Sequence, residues 1–314
     1  MKWYKGTLHC HTNRSDGRAT PRQVGDFYRL QRHDFLGVAD HNRLTLPADY
    51  ADGAGLLGVP CSEFTGEACC HVVGVNVTKA VAPKPSKRKS ARQARVILQE
   101  GIDNTIEAGG IPVVCHPNWY WAVNNDDMLK LKNCNHFEIC NAGPDCNAHP
   151  IPGYEPGDNM WDTLLTAGHR YYGLANDDAH DYYSPPLPRS PRGGIGFNVV
   201  RVPKLTVENV AEAIRHGRFY ASTGVMIKDY RVTRKGMTVK LQQQSAERTV
   251  FQFFGEGGRE LKRVVGEEAA YNFKGDEKYV RIRVASTAGL WAWLQPVFLD
   301  DLDDVIRWTG AKAT

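Results

Sequence analysis

Residues 7–41 read TLHCHTNRSDGRATPRQVGDFYRLQRHDFLGVADH, and they set out one structural unit completely. Leu8 to Thr12 alternates apolar and polar side chains as a strand does, and residues two apart share a face, so His9 and His11 point the same way. Ser15-Asp16-Gly17 has turn chemistry. Thr20 is an N-cap, Pro21 takes the first helical position, Gln23 closes a capping box, and Val24, Phe27 and Tyr28 fall on one helical face. Phe35-Leu36-Gly37-Val38-Ala39 is then a buried strand ending on Asp40-His41.

The unit recurs. A helix is predicted over Ala91 to Ala108, stopped by Gly109-Gly110, with a strand from Ile111 to Cys115 after it. Phe137 to Cys140 (strand), Asn159 to Ala167 (helix), Tyr171 to Ala175 (strand) and Val207 to His216 (helix) continue the alternation, the pattern of parallel strands with helical crossovers. From about Gly224 the period changes to two, in Met237–Leu241, Thr249–Phe254, Tyr279–Val284 and Leu290–Leu294, as in an antiparallel sheet. The division expected is an α/β body over 1–222, a small sandwich-like β-domain over 223–300, and an acidic tail over 301–314 that is a short helix or disordered. Two loops interrupt the body, a basic one from Lys84 to Lys89 and a Pro/Arg/Gly one from Ser184 to Gly196.

The chain's 314 residues are 42% apolar and 24% charged, an ordinary globular balance. No run approaches the roughly 18 apolar residues of a membrane span. Against 35 acidic residues stand 39 lysines and arginines, a net charge of +4. That is too small to argue for a long nucleic acid on bulk electrostatics, and it leaves oligonucleotides open. The start, Met1-Lys2-Trp3-Tyr4-Lys5-Gly6, has no signal-like apolar stretch, and eight cysteines without a C-x-x-C pair suit a reduced compartment, so a cytoplasmic setting is expected. The oligomeric state is left open.

The eleven histidines carry the chemistry. His9 and His11, His41, His116 and His180 all sit at the ends of predicted strands, His71 opens another, and Asp16, Glu63, Asp177 and Asp178 accompany them. In α/β sheets and barrels the carboxyl ends of parallel strands open on one face, where sites form. One strand-end histidine is ordinarily a hydrogen-bonded structural residue. Six of them with several carboxylates on one face need compensating charge, because buried charges are paired or bind a metal.

The same residues, in this order, resemble the polymerase and histidinol phosphatase (PHP) superfamily over residues 7 to about 180. Leu8-His9-Cys10-His11-Thr12 with Ser15-Asp16-Gly17 is similar to its first motif, Ala39-Asp40-His41-Asn42 to its second, Cys115-His116-Pro117-Asn118 to its third and Asp178-Ala179-His180 to its fourth. The resemblance implies a distorted (β/α)7 TIM-like barrel with a trinuclear metal centre. One ion would take His9, His11, Glu63 and Asp178; a second Glu63, His71 and His116; a third Asp16, His41 and His180. Asp178 rather than Asp177 fits the family's D-x-H spacing, and Asp40 is expected to orient His41. Cys10 faces the core. The Asn after Asp-His, the His-Pro-Asn-Trp segment and Arg218-Phe219-Tyr220-Ala221-Ser222-Thr223-Gly224 are most like the CehA/McbA carbaryl-hydrolase-like branch.

Imidazole and carboxylate donors suit Zn²⁺, Mn²⁺ or Fe²⁺ without selecting among them. Two or three such ions imply a hydrolase, a phosphoesterase on a small or nucleotide-like phosphate ester using a metal-activated hydroxide, with His180, Asp16 and Asp178 as catalytic candidates. A hydrolase of carbamates, amides or carboxylic esters on the same metals is the alternative, and a non-catalytic metal-stabilised binding module a second. Asn118, Trp119 and Asn141, with Trp119-Tyr120-Trp121 as an aromatic wall, and Arg189 and Arg192 as phosphate-reaching donors, are the expected substrate contacts.

Overall fold

The computed structural model describes residues 1–85, 93–147, 149–182, 191–242 and 248–310. The opening unit keeps the expected order of elements, but its first strand ends at Thr7, before His9 and His11, and its second is only Phe35–Leu36. Strand β1 (Lys2–Thr7) leads to helix α1 (Pro21–Leu30), whose Thr20 and Gln23 form the reciprocal capping box. Short strand β2 (Phe35–Leu36), the turn of helix α2 (Pro47–Tyr50), and strands β3 (Leu57–Gly58), β4 (Cys61–Thr65) and β5 (His71–Val75) follow. Then come α3 (Ala94–Glu107), β6 (Ile111–Val114), α4 (Asn125–Met128), β7 (His136–Asn141), α5 (Gly157–Thr166), β8 (Tyr172–Asn176), β9 (Phe197–Val202), α6 (Val207–Arg215) and β10 (Phe219–Ser222). The remainder is nearly all strand: β11 (Ile227–Thr233), β12 (Gly236–Leu241), β13 (Thr249–Gly255), β14 (Arg259–Val265), β15 (Glu268–Asn272), β16 (Tyr279–Ser286) and β17 (Trp291–Phe298), before α7 (Leu302–Thr309).

The result is a mixed α/β fold. Its ladders form three sheets among the described residues, with strand orders β14-β13-β16-β17-β10-β9-β1-β2-β3, β4-β5-β6-β7-β8 and β11-β12-β15. The body is less uniformly parallel than the sequence suggests. Only Gly66–Cys70 separates β4 from β5, too short for a crossover, so the two pair antiparallel. Strand β9 likewise runs antiparallel to β1, and β10 to β9. The two larger sheets meet at isolated parallel bridges, His41 with Glu63 and Cys10 with Ala179. Gly37 permits one close approach: a Cβ there would lie 2.6 Å from Cys61 Sγ and 3.1 Å from Leu8 Cα.

The β-rich part is continuous with the body, because β17 pairs with β10. Its own core gathers Phe251, Phe253, Ile282, Val284 and Leu294, and Ile306 and Trp308 of α7 join it. The acidic residues before and within α7 are paired outward: Asp300 and Asp301 with Arg170, Asp303 with Arg234, Asp304 with Arg218. The acidic segment is therefore an amphipathic helix docked by its apolar face. Among the described residues no helix is long and apolar enough to cross a membrane. Residues 86–89 of the basic loop and 184–190 of the Pro/Arg/Gly loop, Arg189 included, lie outside the described residues.

Candidate metal centre

The chain just beyond β1 carries His9 and His11, both fully buried. The turn behind them wraps tightly, since a Cβ on Gly17 would lie 2.5 Å from the His11 carbonyl oxygen. That turn is pinned by Asp40, whose carboxylate accepts hydrogen bonds from Thr12 N, Thr12 Oγ1, Ser15 Oγ and Thr45 Oγ1. Asp40 thus anchors the loop that holds Asp16, where the sequence assigned it to orienting His41. Orientation of His41 falls to Thr65 Oγ1, 2.6 Å from its Nδ1.

Two carboxylates stand at the centre. Glu63, on β4 and fully buried, lies within 3.5 Å of His9 Nε2, His11 Nε2 and His116 Nε2, 3.0 Å from His71 Nδ1 and 2.6 Å from His41 Nδ1. Asp178, just past β8, approaches His11 Nε2 at 2.9 Å and His9 Nε2 at 3.2 Å. On the solvent side Asp16 faces His180 Nε2 at 3.3 Å and His41 Nε2 at 3.4 Å. Among the described residues, four groups have donor atoms close enough to share an ion: His11, Asp16, His41 and His180; His9, His11 and Asp178; His41, Glu63 and His71; and His9, Glu63 and Cys115. Compared with the ligand sets implied by sequence, His11 and His41 each reach into a second group. His116 remains beside Glu63, its Nδ1 buried without a hydrogen-bond partner.

The electrostatics follow from this crowding. Burial alone would raise the Glu63 and Asp178 pKa values, but the surrounding imidazoles outweigh it and hold both well below the usual carboxylate range. Burial and the neighbouring His180 push His11 down to about 4. For His41 burial is overcome by Glu63 and Asp16, and its pKa rises to about 10. The His9 and His11 Nε2 atoms are 3.2 Å apart, a separation at which two ring nitrogens can share only one proton. Convergent lone pairs with too few protons are what a divalent cation relieves, and this mixed donor set fits one without selecting its identity.

The cluster opens on a cavity of about 350 Å³ lined by Asp16, His41, His71, His116, Trp119, Asp145, Cys146, Asp178, His180 and Pro191. Trp119 packs edge-on against His71 and His116, with centroid distances of 5.7 and 5.0 Å, and its indole N–H donates to Asp145 Oδ2. Among the described residues no lysine or arginine lines this cavity. Asn118 is buried, its Nδ2 donating to the Glu155 carbonyl. Asn141 lies behind the ligands, bridging Glu138 Oε2 and Asp178 Oδ2. Arg192 is exposed, and its backbone forms an isolated parallel β-bridge with that of Asp181. Asp177 points away from the cluster, where Tyr28 Oη and the N–H groups of Gly194, Ile195 and Gly196 donate to it; burial lifts its pKa to about 6 despite them. Glu138 and Asn176 went unnoticed in the sequence. Their signal was a lone acid and a lone amide inside apolar strands, Phe137-Glu138-Ile139 and Leu174-Ala175-Asn176.

No family model matches the chain. A 3',5'-nucleoside bisphosphate phosphatase of Chromobacterium violaceum is 26% identical over 172 residues, which cover 51% of this chain and 60% of that protein. The chain thus spans less than two thirds of the length of this curated relative. Among solved structures, a two-domain protein of Bacteroides vulgatus containing a predicted PHP-like metal-dependent phosphoesterase superposes with a TM-score of 0.52 at 14% identity, over 94% of this chain and 95% of that one. This chain has the mixed α/β fold of that PHP-like neighbour, with a histidine and carboxylate cluster suited to divalent metals at the strand ends.

Proposed function

We propose that this chain is a metal-dependent phosphoesterase acting on a mono- or diester of a small or nucleotide-like molecule. The observation that carries this reading is the gathering of all nine expected ligands, His9, His11, Asp16, His41, Glu63, His71, His116, Asp178 and His180, about two carboxylates, six of the nine lining one cavity. A trinuclear centre of Zn²⁺, Mn²⁺ or Fe²⁺ is part of the proposal. The sequence likeness to a bisphosphate phosphatase supports a phosphate ester as substrate. The His41–Glu63 and Cys10–Ala179 bridges support β1, β2 and β4 to β8 as the wall of a distorted seven-stranded barrel. All site residues fall within 1–222, which supports treating 223–300 and 301–314 as scaffold. A cytoplasmic setting is retained in this reading, supported by the cysteine pattern.

Divalent ions bound here would acidify a water and offset the charge of the ester. The chain's own part is placement and proton handling. Glu63 and Asp178 hold five imidazoles in register, and Trp119 gives an apolar wall to a leaving group. His180 and Asp16 lie on the solvent side, where His180 is the candidate for returning a proton to the leaving oxygen, while Asp16, held well below the usual carboxylate range by His180 and His41 against the effect of burial, stays an acceptor. Without a metal, Asp16 and Asp178 outweigh burial and raise the His180 pKa.

A second reading is favoured by the absence of a lysine or arginine in the described cavity lining, together with the resemblance to the carbaryl-hydrolase-like branch: a carbamate or carboxylic ester, which carries no phosphate charge. A panel of para-nitrophenyl phosphate, bis-para-nitrophenyl phosphate and 1-naphthyl carbamate under Zn²⁺, Mn²⁺ and Fe²⁺ separates the two. Hydrolysis of a phosphate ester is expected. Release from the carbamate alone would overturn the first reading in favour of the second.

A further inference from the structure

One carboxylate of the cluster faces away from the cavity. Glu138, in the middle of β7, is 2% exposed and all its hydrogen bonds run behind the expected ligands. Its Oε1 accepts from His9 Nδ1 at 2.8 Å and Asn176 Nδ2 at 3.0 Å; its Oε2 accepts from the His116 backbone N–H at 2.9 Å and Asn141 Nδ2 at 2.7 Å. The Asn141 amide also reaches Asp178 Oδ2 at 3.2 Å. An ionised carboxylate only accepts, so His9 carries a proton on Nδ1, and Nε2 is the nitrogen turned toward Asp178, Glu63 and His11.

We propose that Glu138 is the positioning residue of the metal centre: it selects the His9 tautomer that can bind an ion and, through the His116 N–H and Asn141, fixes three ligand positions relative to one another. The proposal rests on the cluster being a divalent metal site. The logic is that of metal-bound imidazoles whose second nitrogen is held by a carboxylate. Glutamine at this position would keep the shape and reverse the logic. Each of the four partners donates to Glu138, so a glutamine NH2 group finds no acceptor unless His9 moves its proton to Nε2, and a protonated Nε2 cannot ligate.

The test is a competition titration of metal-stripped wild type and Glu138→Gln with Zn²⁺ and a chromophoric chelator, together with long-range ¹⁵N–¹H histidine spectra of both. The expected result is a proton on His9 Nδ1 in the wild type and on Nε2 in the variant, with Zn²⁺ affinity lowered about 10- to 100-fold. Equal affinity in a folded variant would overturn the proposal, as would a wild-type His9 protonated on Nε2. Should E138Q fail to fold, the wild-type spectrum decides by the same tautomer criterion. A wild type with the Nδ1 proton that takes up no Zn²⁺, Mn²⁺ or Fe²⁺ would overturn the metal reading itself, and with it any role for Glu138 in ligation.

Discussion

The cluster around Glu63 and the cluster around Arg281 are both buried in apolar surroundings, and they differ in where the positive charge comes from. Arg281, on β16 and 1% exposed, meets Asp162 of α5 through Nε at 2.7 Å and NH2 at 2.5 Å, and Asp158 through NH1 at 2.9 Å. Tyr279 Oη and Trp293 Nε1 supply further donors to these carboxylates. A guanidinium is permanently charged, so this cluster is complete as built and joins the body to the β-rich part. Among the described residues the Glu63 cluster has carboxylates and imidazoles and no permanent cation. Its positive charge must come from protons or from metal ions, and it opens to a cavity. Burial alone therefore does not distinguish a structural polar cluster from a candidate site; the origin of the compensating charge does.

The contrast can be broken by exchanging charges. Arg281→Met leaves two buried carboxylates unpaired and is expected to cost about 3 to 5 kcal/mol of stability, read by denaturant unfolding, while metal uptake is unchanged. Metal uptake falling in step with stability would mean the two clusters are one unit. Glu63→Ala is expected to do the converse. Phosphoesterase activity should fall by on the order of 10³-fold, the kinetic equivalent of about 4 kcal/mol, and thermal unfolding of the metal-stripped protein should remain cooperative.

His136 belongs to neither cluster and sharpens the comparison. It is fully buried, its Nε2 lies 2.9 Å from the Ile214 carbonyl, and burial pushes its pKa down to about 4. Below its ordinary value near 6.5 the unfolded chain binds a proton that the folded one refuses. Stability is thus full above about pH 6.5 and declines as pH falls toward 4, by up to about 3 kcal/mol. His136→Gln should flatten that slope, which unfolding curves between pH 4 and 7 would reveal; an unchanged slope would assign it to the site histidines instead. The smallest effect is expected at the rim. Trp119→Ala should raise KM for an aryl phosphate several-fold, about 1 kcal/mol, with kcat nearly constant. A matching loss of kcat would place the indole nearer the chemistry than a wall.

Much of the candidate site was legible because strand alternation and strand-end placement are local properties. His9 and His11 converge as expected although β1 stops at Thr7, and Asp178-Ala179-His180 follows β8 as its sequence predicts. What was not legible depends on partners far along the chain. Asn141 reads as a wall residue from its strand-end position, yet the fold turns its amide toward Glu138 and Asp178. Glu138 reads as an isolated acid in an apolar strand until β1 brings His9 against it. The antiparallel β4–β5 pair was visible in principle, since Gly66–Cys70 cannot hold a crossover, whereas the pairing of β17 with β10 joins segments about seventy residues apart, and no local pattern announces it. The acidic stretch from Asp300 left a short helix and disorder both open, because Ile306 and Trp308 acquire meaning only against the β-rich core.

The most direct test of the central claim is hydrolysis of bis-para-nitrophenyl phosphate and para-nitrophenyl phosphate by the chelator-stripped protein as Zn²⁺, Mn²⁺ or Fe²⁺ is titrated back. The account predicts no turnover without metal, and recovery that saturates as the Glu63 cluster fills and is absent in Glu63→Ala. Turnover that survives stripping, or recovery that is the same in Glu63→Ala as in the wild type, would contradict it.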